Sequence, residues 1–364
     1  MASETLANPR RVASHVSIDV RYLASLWMEA SALVSVVAPG AWTWLTFVFT
    51  FGVVPLAEAA LPGTPRNLTA EEEARASSNR FYDLFAWACA PAMVALLVLY
   101  LRRVSSPGTT WFEAAGMTLS VGVMCAIRGI VVGHELMHRS GAWDRAFGSV
   151  LLLTSLNLHF PLYHNRSHHK WVATPSDPAT ARRGESLYAF VPRSMIGNYL
   201  TAWRLERDRL VARGRSPWSW RNAMLVGQAV QLGLLIGVLA LAGPVAALGL
   251  LAVALLGHLI YQGGNYIEHY GMARREVRPG VYEPCAPRHS WNSNHPLGRT
   301  LLFELSRHSD HHFKISRPYQ VLRHFDESPQ LPWGYPTALL VSLVPPLWFR
   351  RIDPLLDGLD GAGR

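Results

Sequence analysis

The hydrophobic positions of this chain fall into long runs that are separated by short polar stretches. A helix needs roughly 20 mostly apolar residues to cross the hydrocarbon core of a bilayer, and the sequence offers six candidate spans. They are residues 23–38, 41–61, 81–101, 111–133, 222–243 and 245–264. Pro39-Gly40 and Gly243-Pro244 separate the first two and the last two spans, and such dipeptides favour tight turns. The pattern therefore predicts two helical hairpins within a six-helix membrane bundle.

The rest of the chain is more polar and is predicted to cover one end of this bundle. Residues 134–221 and 265–349 contain only short apolar stretches, so we expect a helical cap outside the bilayer. One stretch, residues 146–160, is too short to span comfortably. It predicts an interfacial or re-entrant helix that ends at His164. The predicted fold of residues 1–364 is thus one all-α integral-membrane domain: a six-transmembrane helical bundle with a cytoplasmic helical cap.

Composition and charge agree with a membrane protein. The chain is 50% hydrophobic and 16% charged, whereas ordinary soluble domains are about 25% charged. The net charge of +9 comes without a basic run, which argues against nucleic-acid binding. Arg10, Arg11, Arg21 and the arginine-rich residues 182–221 fall on one side of a six-span chain, and the positive-inside rule makes that side cytoplasmic. Arg102-Arg103 opposes this orientation, but arginines at helix ends can snorkel.

The cysteines do not form a recognisable pattern. Cys89, Cys125 and Cys285 are far apart, and no CxxC pair is present. A disulfide framework, a zinc ribbon or an iron–sulfur site on this chain is therefore not expected.

Histidines are the most distinctive polar residues of the chain. Nine of the fifteen lie in four clusters, each beside a hydrophobic segment. They are His134 and His138; His164, His168 and His169; His269; and His308, His311 and His312. Residues four apart share one face of a helix, so His134 pairs with His138 and His164 pairs with His168, whereas His169 lies off that face. Ionisable residues this close to a bilayer are costly and normally functional, so the clusters predict a metal site.

The number of histidines argues against a single zinc. Residues 134–138 match the HExxH pattern of zinc proteases, but one catalytic zinc needs three protein ligands and an open position. Nine histidines suffice for two metals with four or five ligands each. Imidazole binds iron, copper and zinc, and a polar centre at the mouth of an apolar bundle favours iron that activates O2 against a hydrocarbon. A zinc protease, or a metal carrier without catalysis, is the alternative from a different class.

Carboxylates next to these histidines are candidate partners of the imidazoles. Metal-bound imidazoles usually donate their second N–H to a carboxylate or a carbonyl. Glu135, Glu268 and Asp310 are adjacent to predicted ligands, and Asp177 follows the second cluster. For each of them a surface charge is the alternative interpretation, and contact with a ligand is favoured for Glu268 and Asp310.

Other residues near the spans allow two interpretations. Arg128 either snorkels to the interface or pairs with a carboxylate near the site. The aromatic residues between 42 and 51 either face lipid or line a channel for a hydrocarbon. The histidines outside the clusters are predicted to be structural, with His159 also a candidate for lining the pocket. They are His15, His159, His258, His289, His295 and His324.

Four motifs together resemble those of the integral-membrane alkane monooxygenases of the fatty acid desaturase-like superfamily. They are HELMH at residues 134–138, HNRSHH at 164–169, NYIEHYG at 265–271 and RHSDHH at 307–312. The stretches 172–178, 289–294 and 319–326 are also similar. The resemblance covers most of the chain from Gly133 to Phe349, and the number of predicted spans agrees with it.

The resemblance implies a non-haem diiron enzyme whose two irons are held by the nine clustered histidines. It implies O2 as the oxidant, electrons from rubredoxin or ferredoxin through an NAD(P)H-dependent reductase, and oxygen insertion into a terminal methyl group of an n-alkane. The product would be a primary alcohol. The implied location is a bacterial-type plasma membrane, with the active site on the cytoplasmic side.

Two departures from the family pattern leave the substrate open. Tyr163 stands where the family usually has glutamate, and Ser167 stands where it usually has glycine. Related methyl hydroxylases for alkyl-aromatics, such as xylene, share the same motifs. A membrane desaturase acting on acyl chains is the other alternative, although the HxxxHH spacing and the NYxEHYG motif favour hydroxylation.

Overall fold

The computed structural model describes residues 16–362, with side chains described as far as residue 359. Arg10, Arg11 and His15, which entered the predictions above, lie outside the described residues. The described chain is mostly helical, and its strands form only one short antiparallel hairpin, β1 (Glu276–Arg278) with β2 (Val281–Tyr282). The predicted all-α fold is therefore confirmed.

The α-helices are numbered here in chain order. They are α1 (Val20–Ser25), α2 (Trp27–Val37), α3 (Leu45–Val48), α4 (Val54–Ala60), α5 (Ala70–Ser78), α6 (Phe81–Val104), α7 (Trp111–Met124), α8 (Gly133–Met137), α9 (Ala142–Thr154), α10 (Phe160–Tyr163), α11 (His169–Trp171), α12 (Leu187–Val211), α13 (Ala223–His269), α14 (Pro296–Leu301), α15 (His308–Phe313), α16 (Tyr335–Ser342) and α17 (Pro345–Ala362). Shorter 3₁₀ segments are Gly40–Trp44, Pro287–His289 and Tyr319–Val321, and π-helical segments are Phe49–Val53, Cys125–Val132 and His164–His168.

Five continuous helical segments of the described chain are long and apolar enough to cross a bilayer. They are Val20–Val37, Gly40–Ala60, Phe81–Val104, Trp111–Met137 and Ala223–His269. The last has 47 residues, more than twice what one crossing needs, and it covers both of the last two predicted spans. It breaks at Gly243, whose φ of 83° and ψ of 178° are not helical. This break lies where the sequence predicted a turn, and it agrees with two crossings of the bilayer within α13. Two crossings in α13, and therefore six crossings in all, remain a prediction.

The segment Trp111–Met137 is the central helix of the bundle. In its most apolar window 83% of the residues are buried within the protein, against 44% or less for the other spans. Close contact with α13 depends on glycine: a Cβ at Gly122 would lie 2.4 Å from Leu256, and one at Gly257 would lie 2.8 Å from Cys125. The helix that delivers His134 is thus fixed on its α13 side by backbone-to-side-chain packing.

Arg128 joins the bundle to the cap. Its guanidinium is fully buried and donates to Glu29 Oε1 at 2.5 Å, to the carbonyl of Ser25 at 3.1 Å and to the carbonyl of Leu301 at 3.0 Å. The arginine therefore does not snorkel, and its carboxylate partner lies on α2. Removing one partner of a buried ion pair typically costs ~3–5 kcal/mol, so this contact is a strong link between α1, α2 and α14.

The cap differs from its prediction between α9 and the second histidine cluster. The helix predicted over residues 146–160 ends at Thr154, and Leu156 then adopts a positive φ of 49°. The chain restarts as α10 at Phe160. The second cluster is consequently carried by a separate helical element, not by the end of α9.

The C-terminal helix packs beneath the end of α13. Trp348 of α17 is fully buried, and its ring lies 5.4 Å from that of Tyr266 and 5.6 Å from that of Tyr270. Tyr270 also donates to Asp353 at 2.8 Å. These packing contacts stabilise the last turn of α13, which carries His269.

Candidate metal centre

The first two imidazoles come from the end of the central helix. A π-helical segment, Cys125–Val132, runs into α8, which carries His134, and His138 follows as its C-terminal cap. As predicted for residues four apart, both side chains point the same way, and their Nε2 atoms lie 2.8 Å apart. The Nε2 atom of His311, from α15, lies 2.9 Å from that of His134.

The second histidine cluster lies on a π-helical turn, and this changes which residues meet. A π-turn closes its hydrogen bonds five residues apart, so His164 and His169 share a face, with their Nε2 atoms 2.9 Å apart. His168 is directed elsewhere: its ring lies 4.8 Å from that of His312 and 5.0 Å from that of His269. The expected pairing of His164 with His168 in one ligand set is therefore replaced by a pairing of His164 with His169.

All nine clustered histidines come together in two groups, and in each group the potential ligand atoms lie within 4.8 Å of one another. The five-histidine cluster contains His134, His138, His164, His169 and His311. The four-histidine cluster contains His168, His269, His308 and His312. His308 and His312 are four apart on α15 and contribute to the same cluster, whereas His311 between them points to the other.

The imidazole nitrogens are arranged as ligands of metal ions rather than as hydrogen-bond partners of one another. Adjacent Nε2 atoms lie 2.8 to 3.3 Å apart, and nitrogens bound ~2.1 Å from one ion would be separated by ~3 Å. The Nε2 of His168 is buried without a hydrogen-bond partner, which is costly unless it binds something. These residues therefore fit two metal sites, one with five and one with four imidazoles.

Burial keeps these imidazoles in the form that binds metal. Desolvation lowers the pKa of His138 to about 3. Desolvation first, and neighbouring imidazoles second, also lower the pKa of His164, His308 and His312 well below the usual value. Neutral imidazole is the ligand form, so no proton has to be displaced from these residues at neutral pH.

Two of the four predicted carboxylates reach clustered histidines. Asp177 Oδ2 lies 2.9 Å from Nδ1 of His168, which fixes that ring with Nε2 toward the four-histidine cluster. Glu268 behaves differently, because its Oε2 lies 3.3 Å from Nε2 of His308. Its carboxylate therefore faces the interior of the four-histidine cluster.

The other two predicted carboxylates pair with arginines instead. Glu135 accepts from Arg139 at 2.9 Å and from the backbone N–H of Tyr319 at 3.3 Å. Asp310 accepts from Arg317 at 2.6 Å and from the backbone N–H of Arg323 at 2.7 Å. Neither makes the expected hydrogen bond to a histidine, since each of them points away from its neighbouring imidazole and into the surrounding polar network.

Arg307 is a site residue that the sequence reasoning missed. It is buried directly before His308 and donates to the carbonyls of Arg66 and Leu322, each at 2.8 Å. Among the described residues no carboxylate lies within ion-pair distance of it, and burial lowers its pKa to about 10. The signal that could have identified Arg307 is a charged residue directly before a predicted ligand, in a buried segment.

Asn292 is the second missed residue. Its Oδ1 accepts from the backbone N–H of Ser309 at 2.8 Å, and its Nδ2 donates to Oγ of Ser309 at 2.7 Å. With Arg307 and Asp310, this amide holds the face of α15 opposite to the histidines. The three ligands of this short helix are thus positioned by polar contacts on its other side.

The two clusters face different surroundings. His138 lines an open polar groove of about 850 Å³ together with Asp83, Arg139 and Arg317. Glu268, beside the four-histidine cluster, instead lines an apolar cavity of about 70 Å³. The candidate metal centre thus lies between a polar surface and an apolar interior.

The described histidines outside the clusters make other contacts, as predicted. His289 lies 3.3 Å from Glu283, and His324 lies 3.2 Å from Asp326. His258 contacts the carbonyl of Ser155 at 3.0 Å. His159 and His258 stack at 6.2 Å and line a separate cavity of about 280 Å³, so His159 lines a pocket that is not the one beside Glu268.

Comparison with known proteins agrees with this arrangement. Residues 109–340 match the fatty acid desaturase family. The chain is 38% identical over 319 residues to alkane 1-monooxygenase 2 of Pseudomonas aeruginosa, which covers 87% of this chain and 84% of that protein. It is 38% identical over 311 residues to an alkane 1-monooxygenase of Pseudomonas putida, covering 85% and 77%.

A more distant relative acts on aromatic compounds. The chain is 30% identical over 336 residues to the xylene/toluene monooxygenase hydroxylase component of Pseudomonas putida, covering 92% of this chain and 87% of that protein. The identity to the alkane 1-monooxygenases is higher, at 38%. The chain therefore belongs to the alkane monooxygenase family of fatty acid desaturase-like membrane proteins.

Proposed function

We propose that this protein is a non-haem diiron monooxygenase that converts the terminal methyl group of an n-alkane to a primary alcohol. Each histidine cluster would hold one iron. The observation that carries the proposal is that the two clusters are adjacent and that Glu268, 3.3 Å from His308, lines an apolar passage. Bound iron would supply O2 activation, and insertion of one oxygen atom into a C–H bond follows from that chemistry.

The apolar passage is formed by two adjoining cavities. The cavity at Glu268 shares Phe51, Ile260 and Leu339 with a larger cavity of about 390 Å³. The larger one is also lined by Phe47 and by side chains from α12 and α16. Phe47 and Phe51 belong to the aromatic stretch that was considered as a channel lining. A hydrocarbon dissolved in the bilayer would enter here and reach the metal centre without crossing water.

The residues along this passage would orient the substrate and exclude water. Ile260 and Leu339 offer only apolar contacts, so a linear chain gains burial along its length, and holding the methyl group near the metals supplies much of the rate. Glu268 and Tyr335 are among the polar residues of the smaller cavity, together with Thr50 and Tyr261. Burial raises the pKa of Tyr335 well above its usual value, so its hydroxyl stays protonated and can donate to an oxygen atom there.

Electrons would enter from the polar side. His138 lines the open groove, so a carrier protein seated there approaches the five-histidine cluster most closely. We propose rubredoxin or ferredoxin, reduced by an NAD(P)H-dependent reductase, as the donor. The groove would then face the cytoplasm, in agreement with the arginine distribution of the sequence.

Product analysis tests the proposal. Purified iron-loaded protein with donor and reductase is given a mixture of n-alkanes, xylenes and acyl chains, and the products are identified by gas chromatography. Primary alcohols from the alkanes are expected. Benzylic alcohols as the main product would favour the alkyl-aromatic alternative, which the similarity to the xylene/toluene enzyme supports. New double bonds would favour desaturation. One zinc per chain without iron would contradict all three.

A further inference from the structure

Aromatic rings form a continuous line that begins beside the five-histidine cluster. Tyr163 precedes His164, and their ring centroids lie 6.4 Å apart. The ring of His159 lies 6.0 Å from Tyr163 on one side and 5.3 Å from Tyr199 on the other. Centroid separations of ~4.5–7 Å are those of rings in direct contact. The first part of the line therefore leads from a metal-binding histidine to α12.

The line continues to the protein surface. Tyr199 and Trp203 are four apart on α12, and their centroids lie 6.4 Å apart. Trp203 is in turn 6.4 Å from Trp218. Exposure rises along the way, from 3% at Tyr163 to 78% at Trp218. We call Tyr163, His159, Tyr199, Trp203 and Trp218 the aromatic line.

The chemistry of these side chains is that of one-electron donors. Phenol and indole rings lose an electron more readily than most side chains. The rate of electron transfer falls steeply with distance, so transfer between rings in contact is fast. An enzyme that activates O2 must also dispose of oxidising equivalents when no substrate is present, because these would otherwise attack the metal ligands. Excluding such competing reactions is the protein's part in cofactor chemistry.

We propose that the aromatic line carries oxidising equivalents from the metal centre to the surface when O2 has reacted and the apolar passage is empty. This inference rests on the proposed function. In the first step Tyr163 would give one electron to the metal ions that His164 and the other clustered histidines would hold. The phenolic proton passes to the neutral imidazole of His159, whose Nδ1 is buried without a hydrogen-bond partner.

The following steps restore each ring in turn. Tyr199 gives an electron to the Tyr163 radical, which regains its proton from His159, and the phenolic proton of Tyr199 then takes its place on that imidazole. Trp203 then gives one electron to the Tyr199 radical, which regains its proton from His159, and the Trp203 radical cation that results takes one electron from Trp218. At the surface a thiol reduces the Trp218 radical cation by one electron and releases its proton. Two such events convert two thiols to one disulfide.

Trp220 provides a matched control. It is 77% exposed, against 78% for Trp218, and lies two residues away. Its ring is not among the described contacts of Trp203, and it lies instead under the guanidinium of Arg221. Oxidants that diffuse through solution should therefore attack both tryptophans alike, whereas electron transfer along the aromatic line reaches Trp218 alone. Aromatic residues that serve merely as a membrane-interface belt would show no such difference.

The experiment is turnover without substrate. Iron-loaded protein in detergent receives O2, reduced donor protein and catalase, with neither alkane nor thiol, and oxidised tryptophan is quantified by peptide mass spectrometry. Several-fold more oxidation at Trp218 than at Trp220 is expected, and added alkane should suppress it. Trp203→Phe and, separately, Tyr199→Phe should bring the two sites to equal, low oxidation, while Trp220→Phe should leave Trp218 oxidation unchanged.

Other outcomes overturn the inference. Equal oxidation of the two tryptophans in the unaltered protein would show that a diffusible oxidant acts, and a preference for Trp218 that survives both substitutions would show that the line is not used. Absence of oxidation at both sites would do the same. Alcohol formation from an alkane, measured on each variant, separates these results from a failure of the proposed function: without alcohol from the unaltered protein, both proposals fall.

Discussion

Asp177 Oδ2 lies 2.9 Å from Nδ1 of His168 and fixes the direction of that imidazole. The same oxygen accepts from the hydroxyl of Thr180 at 2.7 Å, and the other accepts from the backbone N–H of Ala179 at 3.1 Å. A short loop thus holds the carboxylate, which in turn holds a candidate ligand. His168 is the imidazole that the π-helical turn directs away from its neighbours His164 and His169.

Asp177→Asn should weaken metal binding at the four-histidine cluster. The amide cannot accept as strongly from the imidazole, and loss of such a partner typically costs ~10–100-fold in metal affinity. Iron per chain, measured by mass spectrometry after dialysis against a weak chelator, should fall toward one. Asp326→Asn, which alters an exposed carboxylate beside His324, should leave two irons; an equal loss in both variants would contradict the assignment.

Arg307→Ala should destabilise the helix that carries three ligands. Two carbonyls at 2.8 Å lose a charged donor, and hydrogen bonds to charged groups are worth ~1.5–3 kcal/mol each. We expect a clearly lower melting temperature and reduced iron content, with partial recovery in Arg307→Lys. Arg323→Ala, which removes a half-exposed partner of Glu73, should cost under ~1 kcal/mol. Similar melting temperatures for the two alanine variants would argue against the role given to Arg307.

Gly264 offers a way to shorten the apolar passage. A Cβ at this position meets no atom within 4 Å, and the residue lines the cavity beside Glu268. Gly264→Val should occupy that space and shift product formation toward shorter alkanes, as measured by gas chromatography of mixed substrates. Gly233→Val adds the same side chain where no atom lies within 4 Å, outside the passage. It should leave the chain-length profile unchanged, and a shift in both variants would point to a general effect on the fold.

The stability of the metal-free protein should fall as pH decreases below about 6.5. Burial lowers the pKa of several clustered histidines, that of His138 to about 3, whereas in the unfolded chain they titrate near ~6.5. The unfolded state then binds more protons, so this contribution to stability is present above pH ~6.5 and is lost as pH falls toward the folded pKa. Between pH ~7.5 and ~5.5 each such histidine contributes up to ~1.4 kcal/mol. Melting temperatures that do not change across this range would contradict the buried, neutral state.

Much of the architecture could be predicted from the sequence because apolar runs and histidine clusters are local features. The spans beginning at Phe81 and Trp111 start at the predicted residues. The division of the nine histidines could not be predicted, because it depends on a π-turn over residues 164–168. One extra residue in that turn moves His169 onto the face of His164. No rule based on composition predicts such a turn.

The partners of the predicted carboxylates could not be assigned from the sequence either. Glu135 and Asp310 are adjacent to ligands along the chain, yet adjacent residues on a helix point about 100° apart. Their carboxylates consequently meet arginines a little farther along the same stretches, Arg139 four residues after Glu135 and Arg317 seven residues after Asp310. Asp177, nine residues from His168, reaches its imidazole because the loop between them folds back. The contact of Asp177 thus follows from the fold of this loop and not from helical spacing along the chain.

The two membrane helices that deliver ligands end at different clusters. The central helix leads to His134 in the five-histidine cluster, and α13 ends at His269 in the four-histidine cluster. Tilt in a bilayer is set by packing against neighbouring helices, and Gly122 and Gly257 hold these two helices in close contact. The distance between the two clusters should therefore change little with the thickness of the bilayer that surrounds them.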